Sequence, residues 1–385
     1  MTVPLHSSMT SRQRVASALA HQETDRLPMA LGGGPYGMVD AVYFKLLDLF
    51  KLGEAVRPFR QGHSISYMDD RLLDCLGTDI RYVYPGLSPS SPSRQVSEEH
   101  FVDGFGQTWM KAFPYYYAGP GLLREAASLD EIDSLVAWPD PANPTWMTGT
   151  AERARELRET TQFWVCARAV LSHGPFQLAC DLRGTERFLM DFVDNEVFAF
   201  RLLEKVTGTI DGLLRAYLEA CGRWIDMIEL PGDDYAGNQN LIISPRMFQK
   251  FIKPSLQRFV RTIREFNPAI KIMFHSDGNI TRLIPDLIDC GADLLHPLEP
   301  LESMDLEAIK AAFGERLGFI GGIDISRALP GTPGMLKAEV EKRIRQLAGD
   351  GGYILAPANH IQVDVPAENV HLLFEYTRQV SSRKA

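Results

Sequence analysis

IKIMFHSDGNITRLIPDLIDCGADLLHPLEPLESMDLEAIKAAFGERLGFIGG, residues 270–322, sets three short apolar runs in one repeating order. IKIMFH (270–275), DLLHPL (293–298) and LGFIGG (317–322) each close on polar or glycine residues, and a stretch of helical period follows each. Runs too short for a buried helix, alternating with amphipathic helices, are the sequence form of βα units and of a parallel sheet. Their starts lie 23 and 24 residues apart, and the next run, YILAP (353–357), begins 36 residues further on. That spacing accommodates a strand, a helix and two turns. The helices are expected over NITRLIPDLI (279–288), DLEAIKAAF (305–313) and 332–347, where Thr332-Pro333 supplies an N-cap and a first helical residue.

Toward the N-terminus four more runs extend the series: LPMAL (27–31), DIRYV (79–83), FWVCARAVL (163–171) and WIDMIEL (224–230). Eight such runs close a (β/α)8 TIM barrel, an α/β fold. An open doubly wound sheet would carry G-x-G-x-x-G after its first strand, whereas LGGGPYG places glycines at 32, 33, 34 and 37 and does not match. Residues 1–22 read as a leading helix capped by Thr10 or Ser11. Between the second and third runs, Gly, Pro and aromatic residues alternate without helical period. DGFGQTWMKAFPYYYAGP (103–120) is expected to form a small hairpin within an insertion at about 86–150 over the barrel mouth. The whole chain, 1–385, reads as one barrel domain.

Composition narrows the function classes. The 385 residues carry 40 Lys+Arg against 49 Asp+Glu, a formal charge of −9, which argues against a nucleic-acid partner. Hydrophobic residues at 45% and charged residues at 23% are ordinary for a globular protein with a large core. No run of 18 apolar residues marks a membrane span, and MTVPLHSSMTSRQRV lacks an apolar signal core, so a cytoplasmic location is expected. Five widely spaced cysteines without C-x-x-C argue against a disulfide framework and against a four-thiolate zinc site.

In such a barrel the chemistry belongs at the C-terminal ends of the strands. Those positions hold Tyr36, Tyr84, Arg168, His173, Glu229, Asp233, Asp234, Tyr235, His275, Asp277, His296, Glu299, Asp324, Asn359 and His360. Imidazole nitrogen and carboxylate oxygen are ordinary zinc ligands, a catalytic zinc uses about three of them, and residues two apart in an extended segment share a face. His275, Asp277 and His360 are therefore expected to hold zinc, with Asp324 or Glu229 as an extra ligand. Alternatively His275 and Asp277 bond each other and a substrate without metal. Asp234 and His275 are the catalytic candidates, and Tyr36, Tyr84, Arg168, His173, Asp233, Tyr235 and His296 are candidates for substrate binding. Of the Asp233-Asp234 pair, one acid often caps a turn while the other is solvated. Tyr36, Tyr84, Trp109, Tyr115, Tyr116 and Tyr117 either line a pocket or pack the insertion onto the mouth. So many titratable groups on one rim disfavour a barrel kept only for binding.

The same positions carry a family resemblance. MTSRQRVASALAHQETDRLPMALGG (9–33), GDDYAGNQNLIISPRMFQKFIKP (232–254), FHSDGNITRLIPDLIDCGADLLHPLEP (274–300), GGIDISRALPGTP (321–333) and GGYILAPANHIQVDVPAENV (351–370) together resemble the uroporphyrinogen decarboxylase superfamily. The resemblance implies a (β/α)8 barrel and two branches, decarboxylases and cobalamin-linked methyltransferases. True uroporphyrinogen decarboxylases carry an R-Q-A-G-R-like segment after the first strand, but here LGGGPYGMVD (31–40) stands there, with no arginine between Arg26 and Arg57. A polycarboxylate would lose charge-assisted anchors of about 1.5–3 kcal/mol each. The methyltransferase branch places His-x-Cys after the fifth strand and Cys after the eighth. His275-x-Asp277 and Asn359-His360 occupy those places here and leave only N/O coordination.

O-demethylase methyltransferases are similar in an acidic–x14–Glu–x20–His pattern, matched by Asp324, Glu339 and His360. The resemblance thus implies zinc as Lewis acid, a small, methoxyaromatic methyl donor, and cobalamin on a partner corrinoid protein. A homodimer is compatible with it. The rival is a metal-free decarboxylase or lyase of a small carboxylate, with Asp234 or His275 giving the proton.

Overall fold

The computed structural model describes residues 9–54, 68–86, 88–89, 92–112 and 115–382, with the backbone alone at 92 and 115. Residues 1–8 of the expected leading helix lie outside this set. The strands are β1 (Ile80–Val83), β2 (Pro92–Gln95), β3 (His100–Asp103), β4 (Thr108–Ala112), β5 (Tyr115–Ala118), β6 (Trp164–Ala167), β7 (Met227–Glu229), β8 (Lys271–His275), β9 (Leu294–His296), β10 (Gly318–Ile323) and β11 (Tyr353–Pro357). Seven of them form one parallel sheet in the order β1-β6-β7-β8-β9-β10-β11. Its register sets Val83 beside Ala167, Ala167 beside Ile228, Ile228 beside Ile272, and His275 beside His296.

The run LPMAL supplies the eighth position without becoming a regular strand. Met29 bridges Leu355 in parallel. Leu355 N–H donates to Pro28 O (3.0 Å) and Ala30 N–H to Leu355 O (2.9 Å), while on the other side Asp79 N–H donates to Met29 O (2.8 Å). The segment touches both edges of the curled sheet and closes the (β/α)8 ring. Pro28 has no N–H to give a ladder, which confines pairing to this short bridge. FWVCARAVL is trimmed to Trp164–Ala167 because the chain beyond turns into the loops of the rim, and WIDMIEL to Met227–Glu229 because Trp224 still belongs to the turn that ends the helix Glu196–Cys221, its N–H donating to Cys221 O (2.9 Å).

Beneath the ring the leading helix, Ser11–Leu19, is held by a capping box between Thr10 and Gln13. Its Arg14 donates to Asp79 Oδ1 (2.6 Å) and to both oxygens of Asp25 (2.6 and 2.9 Å). Asp79 is fully buried. It also accepts from Ser11 Oγ (2.8 Å), from Arg26 Nη1 and Nη2 (2.7 and 2.8 Å), and from Met29 N–H (2.9 Å).

The expected single hairpin is a four-stranded antiparallel sheet, β2-β3-β4-β5, between β1 and β6 in the chain. Asp103 organises its tight turn: Oδ1 accepts from the N–H groups of Phe105 (2.9 Å) and Gln107 (3.0 Å), and Oδ2 from Trp109 Nε1 (2.8 Å). Burial pushes its carboxyl up to about 6 against these donors. The short polar strand β2 has no apolar alternation to announce it. Among the helices, Pro333–Leu347 begins at Thr332, whose hydroxyl accepts from Met335 N–H (3.3 Å), and Leu306–Phe313 is capped by Asp305. NITRLIPDLI instead opens with a 3₁₀ turn, Thr281–Leu283, before the helix Ile284–Cys290. Among the described residues no helix is long and apolar enough to cross a membrane.

Replacing Asp79 leaves two arginines facing an emptied buried site. Asp79→Ala is expected to lower the unfolding free energy by about 3–5 kcal/mol, the usual cost of breaking a buried ion pair. Urea denaturation followed by far-UV circular dichroism checks it, and a change below about 1 kcal/mol would show that the ring closes without this carboxylate.

Candidate active site

His275 ends β8, and Ser276 turns the chain so that Asp277 faces the same side of the rim. Asp234, five residues beyond the end of β7, meets them there. One ligand atom from each of Asp234, His275 and Asp277 lies within 4.8 Å of the other two. His275 Nε2 stands 3.7 Å from Asp277 Oδ1 and 4.0 Å from Asp234 Oδ1. Asp277 N–H donates to Asp234 Oδ1 (2.9 Å), and Asn359 Nδ2 donates to Asp277 Oδ2 (2.6 Å). Asp277 Oδ1 is buried and receives no hydrogen bond from the described residues. Burial raises the Asp277 carboxyl well above its ordinary range, and the charges of Asp234 and Glu299 add to the rise. Gly232 makes room for the cluster, because a Cβ there would stand 2.6 Å from His275 Cδ2.

The other face of His275 fixes its tautomer. Its Nδ1 lies 2.9 Å from Nδ1 of His296, and Nε2 of His296 faces Pro357 O at 3.4 Å. A carbonyl only accepts, so His296 carries its proton on Nε2 and its Nδ1 accepts from His275 Nδ1–H. The lone pair of His275 is then on Nε2, toward the two carboxylates. Burial lowers both imidazoles from the ordinary value, most strongly His296, which keeps them neutral.

Other expected residues are placed elsewhere. His360 stays out of the cluster: its Nε2 donates to Gly34 O (2.8 Å), because the loop after β11 folds back onto the first loop. Asp324 instead caps the turn after β10, its Oδ1 accepting from Ser326 N–H (2.8 Å) and Arg327 N–H (3.0 Å). Glu339 Oε1 accepts from Asp324 N–H (3.2 Å) and from Arg343 Nε (2.8 Å), which places it with Asp324 and Arg343. Glu229 points into the barrel, where it accepts from Gly34 N–H (2.8 Å) and Tyr36 OH (3.0 Å). Burial raises its carboxyl, while Arg168, with Nε at 3.9 Å, opposes the rise.

Asp233 and Asp234 divide their work. Asp233 is buried at the start of the helix Pro175–Arg183 and accepts from Gln177 N–H (2.7 Å), Phe176 N–H (3.2 Å) and Tyr235 OH (2.9 Å). Burial pushes it up to about 7 despite these donors. His173 Nδ1 pairs with Asp181 Oδ2 (2.5 Å). The guanidinium of Arg168 lies 5.6 Å from the centre of the Tyr84 ring. Of the aromatics, Trp109 reaches the rim, 5.8 Å from the His173 ring. Tyr36 is sealed inside against Tyr82 and His296, Tyr116 packs edge-on to Phe101, and Tyr117 is exposed. The side chain of Tyr115 lies outside the described residues.

The family model for uroporphyrinogen decarboxylase (URO-D) matches residues 115–380. The chain belongs to the uroporphyrinogen decarboxylase family. A uroporphyrinogen decarboxylase of Thermus thermophilus is 25% identical over 191 residues, 49% of this chain and 50% of that one, so the chain spans about half the length of that relative. Uroporphyrinogen decarboxylase 2, chloroplastic, of Oryza sativa subsp. japonica is 24% identical over 269 residues, 67% of this chain and 62% of that one. Among solved structures, a methyltransferase from Methanosarcina mazei superposes with a TM-score of 0.64 at 20% identity, over 97% of this chain and 99% of that one. At this identity the likeness is one of fold.

Within this URO-D family barrel, sequence reasoning placed Asn359 and Glu299 on the rim without giving them a role and did not single out Ser276. Asn359 orients Asp277, Ser276 Oγ accepts from Tyr235 N–H (3.1 Å), and Glu299 Oε2 accepts from Gly278 N–H (2.7 Å). Their strand-end positions were the available signal. The donor set of Asp234, His275 and Asp277 suits a divalent ion: two carboxylates offset its charge, a neutral imidazole adds a nitrogen, and the buried Asp277 Oδ1 has no competing donor among the described residues.

Replacing His296 by Phe removes the acceptor that fixes His275. In histidine ¹⁵N spectra the wild-type His275 is expected to carry its proton on Nδ1, and His296→Phe to move it toward Nε2, which faces the two carboxylates. An unchanged spectrum would overturn the tautomer assignment. Asp233 yields a pH prediction of opposite character to a surface acid. Its pKa rises on folding, from 3.8 to about 7, so its contribution to stability is greatest below pH 3.8 and is lost as the pH climbs through 7. The stability of the wild type relative to Asp233→Asn should decline between about pH 4 and 8, and a flat difference in thermal melts would contradict the burial argument.

Proposed function

We propose that the chain is a methyltransferase that takes a methyl group from a small methylated donor, with a methoxylated aromatic as the leading class, and passes it to cobalamin on a partner corrinoid protein. The observation that carries this reading is the convergence of Asp234, His275 and Asp277 on one point of the rim, with a buried carboxylate oxygen left open. The arginine-free first loop, LGGGPYGMVD, speaks against a polycarboxylate substrate. The fold shared with a methyltransferase is compatible with the reading without deciding it.

Asp234, His275 and Asp277 would hold zinc. When bound, zinc supplies Lewis-acid charge to the heteroatom that the methyl group leaves, and the reduced corrinoid supplies the nucleophile. The protein residues do the positioning. His296 holds the His275 lone pair toward the cluster, and Asn359 turns Asp277 Oδ1 inward. Trp109 from the insertion, beside His173, and the Tyr84–Arg168 pair are the groups that would contact an aromatic donor.

The test is a panel of methoxyaromatics, methylamines and methyl thioethers incubated with reduced cobalamin, scoring methylation of cobalt by absorbance. Transfer from a methoxyaromatic is expected, with His275→Ala lowering the rate at least about a hundredfold, in the range of other electrostatic catalytic groups. Carbon dioxide release from a small carboxylate, with no cobalt methylation from any donor, would favour the decarboxylase reading instead.

A further inference from the structure

A second imidazole stands on the same rim outside the metal-type cluster. His173 and Gly232 form a parallel bridge, and Gly174 N–H donates to Gly232 O (2.7 Å). Gly232 is also the residue on which the His275 ring lies, so His173 and His275 flank one glycine. His173 gives Nδ1 to Asp181 Oδ2 at 2.5 Å, and Asp181 is held in turn by Gln177 Nε2 (3.0 Å) from the same helix. A carboxylate that fixes one ring nitrogen leaves Nε2 for outside chemistry. The His173 side chain is 34% exposed, with Trp109 of the insertion beside it. Nothing in the cluster of Asp234, His275 and Asp277 calls for this dyad.

We propose that His173, oriented by Asp181, is the general acid that protonates the departing oxygen of an aryl methyl ether. This assignment rests on the methyltransferase reading and deepens it by naming the leaving-group chemistry. The methyl carbon–oxygen bond breaks with its electron pair staying on oxygen. The reduced corrinoid provides the pair for the new bond to the methyl carbon, and the Nε2 proton of His173 passes to the oxygen. The products are the methylated corrinoid, a phenol and a neutral imidazole, which regains its proton from solvent through its exposed edge. Burial opposes charge on His173, but the carboxylates of Asp181, Asp233 and Asp234 outweigh it and raise its pKa. Phenols ionise near about pH 10, so a free phenolate is a poor leaving group at neutral pH and the proton assists its departure.

The experiment compares wild type and His173→Gln on aryl methyl ethers whose phenols range from weakly acidic to the strongly acidic nitrophenol, with reduced cobalamin as acceptor. Loss of the acid should slow the weakly acidic phenol ethers about 10²–10⁴-fold and the nitrophenyl ether less than about tenfold. Asp181→Asn should show the same dependence at smaller size. Zinc content should stay at the wild-type level in both variants, and in the wild type the ¹⁵N resonance of His173 Nε2 should shift when the phenol product binds. A loss equal across all leaving groups, or no loss, would overturn the role of His173 while leaving methyl transfer standing. Failure of the wild type to demethylate any ether would overturn the methyltransferase reading and this assignment with it.

Discussion

One buried carboxylate holds the barrel shut. Asp79 takes hydrogen bonds from the leading helix through Ser11 and Arg14, from the turn before the first segment through Arg26, and from the segment itself through Met29. Its own N–H donates to Met29 O. An ion this deep is tolerated only because two guanidiniums, a hydroxyl and a main-chain amide replace the water it loses. The rim depends on that arrangement. The loops bearing Gly34 and Asn359 leave the segments on either side of the closure, and each donates one hydrogen bond to the site, Gly34 N–H to Glu229 and Asn359 Nδ2 to Asp277.

The parts of the fold legible in sequence were those whose signal is local. β8, β9, β10 and β11 announce themselves through apolar runs separated by capped helices, and the Thr332 cap appears where Thr-Pro marked it. LPMAL misled as a full strand because hydrophobicity does not register the missing N–H of Pro28, and β2 was invisible because its sequence, PSRQ, has no apolar alternation. In the site, His275 and Asp277 could be paired from a two-residue spacing at a strand end. Asp234 was expected with His275 as a catalytic group and not as a third ligand, since adjacent acids look alike in sequence. Only the position of the helix Pro175–Arg183 separates Asp233, which caps it, from Asp234, which faces His275. His360 was drawn to the cluster by its place after the last strand, whereas the return of its loop onto Gly34 is a three-dimensional fact.

The electrostatics of the rim follow from this division. Carboxylates dominate it, and they differ in what stabilises them. Asp233 has helix amides, Glu229 has Arg168 and a phenol, and Asp181 has His173. Among the described residues, Asp234 has the N–H of Asp277, Asp277 has an amide from Asn359, and both face an imidazole kept neutral by burial. Among the described carboxylates of the rim, theirs is the place that a cation would complete.

Among the described residues, the insertion sheet pairs its strands among themselves and shares no ladder with the ring. Its Trp109 nonetheless hangs over the rim beside His173. Mutations in β2 to β5 can therefore accumulate without altering the register of the barrel strands. In the proposed function, the carboxylate–imidazole cluster and the aromatic contact to the donor thereby lie on separate stretches of chain, so the insertion can be redrafted while the cluster beneath is inherited intact.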